Sequence, residues 1–179
     1  MPGGSIDYFL VGMKAAEILD YAGIEIQSLD TTGSGAIWKA REDLLQGRLR
    51  GAYSYGMNWK MSAKTILVQM HHKAAAFEAL GKKLVLVVQK RFFDYITREF
   101  HTGQLRAADS RDSVHFHIYD VVMLGSELQI VLDERRSTNV SGVAQMLDLG
   151  SKGDILEEEV IMRIKAKMPN AVRLDVPPA

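Results

Sequence analysis

Three residues near the start of the chain, Asp7, Glu25 and Gln27, have the types and spacing from which a catalytic site could be built. Ser5–Val11 and Gly23–Leu29 both suit short strands, which would put Asp7 on one strand and Glu25 with Gln27 on the next. Side chains alternate along a strand, so Glu25, Gln27 and Leu29 share one face while Ile24, Ile26 and Ser28 take the other. Two carboxylates held side by side on rigid strands match what a hard divalent cation requires, because Mg²⁺ takes oxygen ligands and keeps several waters for chemistry. Gln27 then stands where a cation would otherwise polarise the attacking water or the phosphate. The plainer alternative is an exposed strand face carrying ordinary polar residues.

The elements that would position these residues follow from periodicity and punctuation. Met1-Pro2-Gly3-Gly4 is a loop leading into the Asp7 strand. Met13–Ala22 is too short and too interrupted for a helix, and predicts a strand continuation with a hairpin around Ala16-Glu17. Asp30-Thr31-Thr32-Gly33-Ser34-Gly35 is a turn-rich loop without the Gly-Lys-Ser/Thr ending and following helix of a phosphate-binding loop. Trp38–Leu49 predicts a short helix carrying Trp38, Arg41, Leu44, Leu45 and Arg48. An aromatic and basic loop, Tyr53–Lys60, leads to the strongest helix signal in the chain. There Ser62 reads as the N-cap, and Ile66, Leu67, Met70, Ala74, Phe77 and Leu80 form an apolar stripe, with Met70 as core filling and Gly81 as the stop.

Leu84-Val85-Leu86-Val87-Val88 is an unbroken apolar run directly after that helix and suits a strand buried on both faces. Arg91–Phe100 fits either a short helix or an extended edge, and Gln104–Asp112 reads as a loop. Ser113–Met123 alternates, with Val114, Phe116 and Ile118 on one face and His115, His117 and Tyr119 on the other. The two histidines could both reach one metal, but zinc needs further ligands and no third His or Cys is nearby, so an exposed strand face is expected. Leu128–Leu132 is the partner strand across a Gly125-Ser126 turn. Asn139–Leu149 and Ile155–Lys167 predict helices, the second with Ile155, Val160, Ile161 and Ile164 inward and Glu157-Glu158-Glu159 in its first turn, where the macrodipole favours them. The tail Asp175–Ala179 is expected to be unstructured.

Length and composition bound the class. A chain of 179 residues suits one domain, 1–179, and 47% hydrophobic with 25% charged residues describes a globular protein. Lys+Arg and Asp+Glu balance at 22 each, so net charge does not announce a polyanionic partner, although a local basic face is compatible with a neutral total. Cysteine is absent, which excludes disulfides and thiolate metal sites. No apolar run approaches the roughly 18 residues needed to span a bilayer. No membrane association and a cytoplasmic location are the expectations.

Ser5-Ile6-Asp7-Tyr8, Ile24–Gly33, Tyr55–Thr65 and Gln69-Met70-His71-His72-Lys73 together resemble the catalytic core of NotI-type restriction endonucleases, a branch of the PD-(D/E)xK nuclease superfamily. The likeness covers most of the chain up to about residue 90, and less clearly the remainder. It implies an α/β fold, a restriction-endonuclease-like mixed β-sheet flanked by α-helices, that hydrolyses phosphodiester bonds in double-stranded DNA with Mg²⁺, for which Mn²⁺ could substitute. Asp7 and Glu25 would be the metal ligands, and Gln27 would take the position usually held by lysine. Glutamine is neutral and cannot act as a general base near neutral pH, though its amide can orient a water. A strict metal requirement is therefore expected. Arg41, Asn58, Lys60, Lys64 and His72 are the candidate DNA contacts by their closeness in sequence to the motifs, and a homodimer is expected by analogy with enzymes that cut palindromic sites. Only six residues precede Asp7, so a minimal relative or a truncated chain is anticipated.

Two rival readings stand beside a type II site-specific nuclease. One is a catalytically inactive or truncated nuclease-fold DNA-binding module, favoured by the neutral charge and by Gln in place of Lys. The other is a small-molecule α/β enzyme using the Thr31–Gly35 loop. On sequence alone, Glu25→Ala should remove cleavage and leave melting nearly unchanged.

Overall fold

In the computed structural model the described residues are 5–33, 35–48, 50–149, 157–167 and 169. The chain opens with the expected hairpin. Strand β1, Tyr8–Lys14, pairs antiparallel with β2, Glu17–Gln27, and Ala15 takes a left-handed φ of 53° in the tight turn between them. Asp7 lies in the bend just before β1, one residue outside the strand that the sequence predicted to contain it.

After β2 the chain forms β3, Thr31–Thr32; helix α1, Ala36–Leu45; and β4, Gly56–Met57, which pairs with β3 in a separate two-stranded ribbon. Trp38, Leu44 and Leu45 of α1 are exposed, and the residues it buries are Ala40 and Asp43. The helix is therefore where the spacing predicts it, but its large apolar side chains do not face the core.

The long helix α2, Trp59–Ala79, buries Ile66, Leu67, Met70, Ala74 and Phe77 as the stripe predicted, while Leu80 beyond its end is exposed. Its start differs from expectation. Asn58 is the N-cap residue and Ser62 lies inside the first turn, buried, where its Oγ donates to Asp30 Oδ2 at 3.2 Å and accepts from the Asp30 N–H at 3.3 Å. Ser62 thus ties the loop after β2 to α2. Gly81, at φ 65°, ends the helix as expected.

Strand β5, Lys83–Gln89, runs parallel to β2; α3, Lys90–Glu99, resolves the choice over Arg91–Phe100 in favour of a helix. Within the predicted 104–112 loop, Arg106–Ala107 forms a short strand, β6. Strand β7, Val114–Leu124, is parallel to β5 and antiparallel to β8, Glu127–Thr138. Helix α4, Val140–Met146, follows, its N-cap Asn139 accepting from the Gly142 N–H at 2.9 Å. The last helix is α5, Glu157–Lys167, on which Val160, Ile161 and Ile164 are exposed rather than inward. Met1–Gly4, Ile155 and the tail from Asp175 lie outside the described residues.

The main sheet has the order β1-β2-β5-β7-β8-β6. Its centre is the parallel set β2, β5 and β7, joined through α2 and α3. Crossovers between parallel strands are right-handed as a rule, and two that step the same way along the sheet put both helices on one face. The packing agrees: Phe93 of α3 lies 5.8 Å from Phe116 of β7, and Trp59 of α2 lies 6.4 Å from Phe92 of α3. Leu84, Leu86, Val88, Phe116 and Ile118 close the core beneath them. Gly23 permits a close approach of α2 to β2, since a Cβ there would sit 2.5 Å from Phe77 Cζ. The opposite face is thinly covered, with Val85 and Val87 half-buried and Ile26 55% exposed. Beyond Tyr119, which pairs with Gln89 at the end of β5, the β7–β8 hairpin continues as a two-stranded arm.

Candidate active site

Because β1 is antiparallel to β2, the start of β1 and the end of β2 meet at one end of the sheet. The register pairs Tyr8 with Ile24, and one step further sets Asp7 opposite Glu25. Asp7 Oδ2 accepts the Ile26 N–H at 2.9 Å, so the carboxylate caps the strand edge beside Glu25. The structure therefore brings Asp7, Glu25 and Gln27 together at the carboxyl end of β2, as the sequence led us to expect. Asp7 is exposed, Gln27 half-buried and Glu25 only 4% exposed. The Gln27 amide donates from Nε2 to the Ser28 carbonyl, which fixes its orientation.

Glu25 is not the exposed polar residue that the plainer reading supposed. It shares a face with Gly23, and that face is covered by α2. Lys73, 7% exposed, reaches down from α2 and places Nζ 2.7 Å from Glu25 Oε2. Glu25 Oε1 has no hydrogen-bond partner and is the one buried side-chain polar atom in that state among the described residues. Buried carboxylate oxygens without a partner are costly, and their persistence calls for an explanation.

Lys73 was missed as a site residue, although the signal was present. Ile66, Met70 and Phe77 mark the core-facing stripe of α2, and Lys73 falls on the same stripe at helical spacing. Lysine is almost never buried unless paired, so a lysine on that stripe demands an acidic partner.

The candidate DNA contacts are not gathered around this centre. Lys64 precedes Lys73 by nine residues, two and a half helical turns, and so points from the opposite side of α2. Lys60 and Lys64 instead line a cleft of about 450 Å³ with Tyr95, Glu99, His101 and Asp148. His72 is exposed beside His71, with ring centroids 5.7 Å apart. Asn58 caps α2, its N–H donating to the Asp30 carbonyl at 2.9 Å, and Arg41 is exposed on α1.

The histidines of β7 do not lie on an exposed face: His115 is buried, with Nε2 3.0 Å from the Asp112 carbonyl oxygen, and His117 is half-buried. Burial, with Arg135 and His115 nearby, holds the His117 pKa below its ordinary value. Among the described residues no three His, Asp or Glu side chains are grouped to hold a metal ion. What the sheet end offers is a pair of carboxylates, one with an unpartnered oxygen. That pair fits a Mg²⁺ ion, which is commonly bound by one or two carboxylates with waters and substrate phosphate completing its shell.

A mixed sheet with a parallel centre, helices packed on one face and carboxylates at the carboxyl end of its strands defines a restriction-endonuclease-like fold. The family model described as Restriction endonuclease NotI matches residues 2–122, well over half of the chain. The chain belongs to that family, whose members are restriction endonucleases acting on DNA. The match runs from before Asp7 to the base of the β7–β8 arm, so it includes part of the region beyond residue 90 where the resemblance is less clear. No curated protein matches the chain.

Proposed function

We propose that the chain is a metal-dependent type II endonuclease that hydrolyses phosphodiester bonds in double-stranded DNA, with Asp7 and Glu25 as ligands of Mg²⁺ or Mn²⁺. The observation that carries this reading is the unpartnered Glu25 Oε1, held beside Asp7 at the strand ends. A hard cation bound there supplies Lewis-acid polarisation of the phosphate and a more acidic water. Asp7 contributes an anionic oxygen at the strand edge, and its bond to the Ile26 N–H holds it in register with Glu25. Gln27, its amide fixed by Ser28, can orient a water but cannot take its proton near neutral pH.

Arg41, Asn58, Lys60, Lys64 and His72 remain the proposed contacts to DNA, Lys60 and Lys64 from the flank of α2 turned away from Glu25. A homodimer is the proposed assembly, because cutting both strands at a symmetric site asks for two centres related by a two-fold axis. The exposed apolar side chains Val121, Met123, Leu128 and Ile130 on the arm give such an assembly a surface, and the nearby Asp120, Glu127 and Asp133 make that arm ill suited to duplex DNA. Residues 1–179 are taken as one nuclease-core domain in the cytoplasm. No helix among the described residues is long and apolar enough to cross a membrane.

The test is incubation of the purified protein with a large mixed DNA in Mg²⁺, Mn²⁺ or EDTA, beside Asp7→Asn and Glu25→Gln. Discrete fragments that require metal and are absent with both variants are expected. A folded protein that leaves the DNA intact in either metal would favour the inactive DNA-binding module instead.

A further inference from the structure

We infer that Lys73 is a positioning residue: from α2 it holds Glu25 by Oε2, and so reserves Oε1 as the oxygen presented to the cation. The inference deepens the two-carboxylate reading above and rests on it. Three observations carry it. Both partners are more than nine-tenths buried, their contact is 2.7 Å, and the other oxygen of the same carboxylate is left without a partner. If burial of Glu25 served stability alone, well-packed apolar residues at both positions would serve as well or better, since desolvating two charges commonly offsets their attraction. A pair that satisfies one carboxylate oxygen and strands the other is hard to explain as a stability device.

The neighbouring chemistry gives the lysine a role. Gln27 is neutral and is tied to Ser28, so it brings no positive charge to the acidic pair. Lys73 brings one from a different element. With Nζ on Oε2, Glu25 can meet a cation through Oε1 alone, in a single geometry, and the carboxylate has a counter-charge before any cation arrives. The same ammonium repels a dication bound nearby. Lys73 therefore exchanges affinity for orientation: metal binds less tightly than two buried carboxylate oxygens would allow, but in a fixed place.

That exchange predicts a split that a merely structural lysine would not produce. In Lys73→Met the Mn²⁺ affinity of the full chain, measured by titration calorimetry without DNA, should rise about tenfold as the repulsion is removed and Oε2 is released. Cleavage at saturating Mn²⁺ should fall by at least about tenfold, because a small displacement of a ligand costs that much or more. Lys73→Arg, which keeps the charge, should return Mn²⁺ affinity toward that of the unmodified protein, and Lys73→Gln should resemble Lys73→Met. Unchanged or weaker Mn²⁺ binding in folded Lys73→Met and Lys73→Gln would overturn the inference while leaving the two-carboxylate site intact. If the unmodified protein itself binds no Mn²⁺, the site reading fails first, and the role of Lys73 with it. Should the neutral variants melt early, recovery on adding Mn²⁺ supports the inference, because the cation then replaces the missing counter-charge. A protein still unfolded at saturating Mn²⁺ contradicts it.

Discussion

The two ends of the parallel strands hold clusters of charged residues that treat their polar atoms in opposite ways. At the amino end of β5 and β7, Glu78, Lys82, Lys83, Arg106, Asp109, Arg111 and Asp112 line a cavity of about 700 Å³. There Asp112 is bound by Arg106 and receives the Ser137 hydroxyl at 2.6 Å, Asp109 is clasped by Arg111, and Lys83 donates to the Asp112 carbonyl at 3.2 Å. Arg111 holds the Asp109 carboxyl far below the usual carboxylate range. At the carboxyl end a smaller group, Asp7, Glu25 and Lys73, leaves one buried carboxylate oxygen without a partner. A satisfied network rigidifies its surroundings, whereas an unsatisfied atom raises the energy of the state that contains it. The larger and more charged cavity therefore satisfies its own polar atoms, and the proposed metal site rests on the unpartnered oxygen at the strand ends.

The largest expected contrast is in activity. Asp7→Asn and Glu25→Gln should each lower cleavage by about 10³-fold or more, equivalent to about 4 kcal/mol of transition-state stabilisation, measured as the rate at saturating metal. Asp7→Asn should move stability by less than about 1 kcal/mol, because the group is exposed and the amide oxygen can still accept the Ile26 N–H. Any variant at the other end of the strands that stopped cleavage without unfolding the protein would break the comparison.

Next comes stability. Asp112→Ala leaves the buried Ser137 hydroxyl without its acceptor and releases the exposed Arg106 guanidinium to solvent, and should cost about 1–3 kcal/mol in denaturant unfolding with little change in cleavage by the protein that remains folded. Glu25→Ala should cost more, about 3–5 kcal/mol, since it leaves Lys73 buried and unpaired; the structure thus reverses the expectation that this substitution would spare melting. Glu25→Gln, which keeps a side chain for Lys73 to donate to, is the cleaner probe of activity. Gly23→Ala should cost about 1–3 kcal/mol by forcing Phe77 away from β2.

The smallest effect concerns pH. With its folded pKa below its unfolded value, His117 is held neutral, so the stability it contributes is fully present above its ordinary value of 6.5. That contribution is lost as the pH falls below 6.5 toward the lowered folded pKa. Melting measured across this window should decline, and His117→Gln should flatten the decline; an unaltered slope would remove His117 as its source.

Much of the fold was legible because its strongest signals are local. The α2 stripe, the apolar β5 run and the β7 alternation each reflect burial on one packed face, and burial dictates residue type. Ser62 was misplaced as a cap because the serine that looks like a helix start is engaged across 32 residues by Asp30, a tertiary contact no local rule contains. Asp7, Glu25 and Gln27 were legible as a group because a hairpin is a short-range pairing. Lys73 was not, because its partner is 48 residues away on another element, and the apolar stripe was read for its hydrophobic members without asking what the charged member would face. Closeness in sequence does not put the DNA candidates beside Glu25, because nine residues reverse direction along a helix.

Metal-dependent cleavage requires that the Asp7–Glu25 end of the sheet bind a divalent cation. Titration of the full chain with Mn²⁺, beside Asp7→Asn and Glu25→Gln, measures this without DNA. Saturable binding in the unmodified protein, lost or weakened at least about tenfold in both variants, is the predicted result. Equal binding by all three proteins, or none by the unmodified chain, would contradict it.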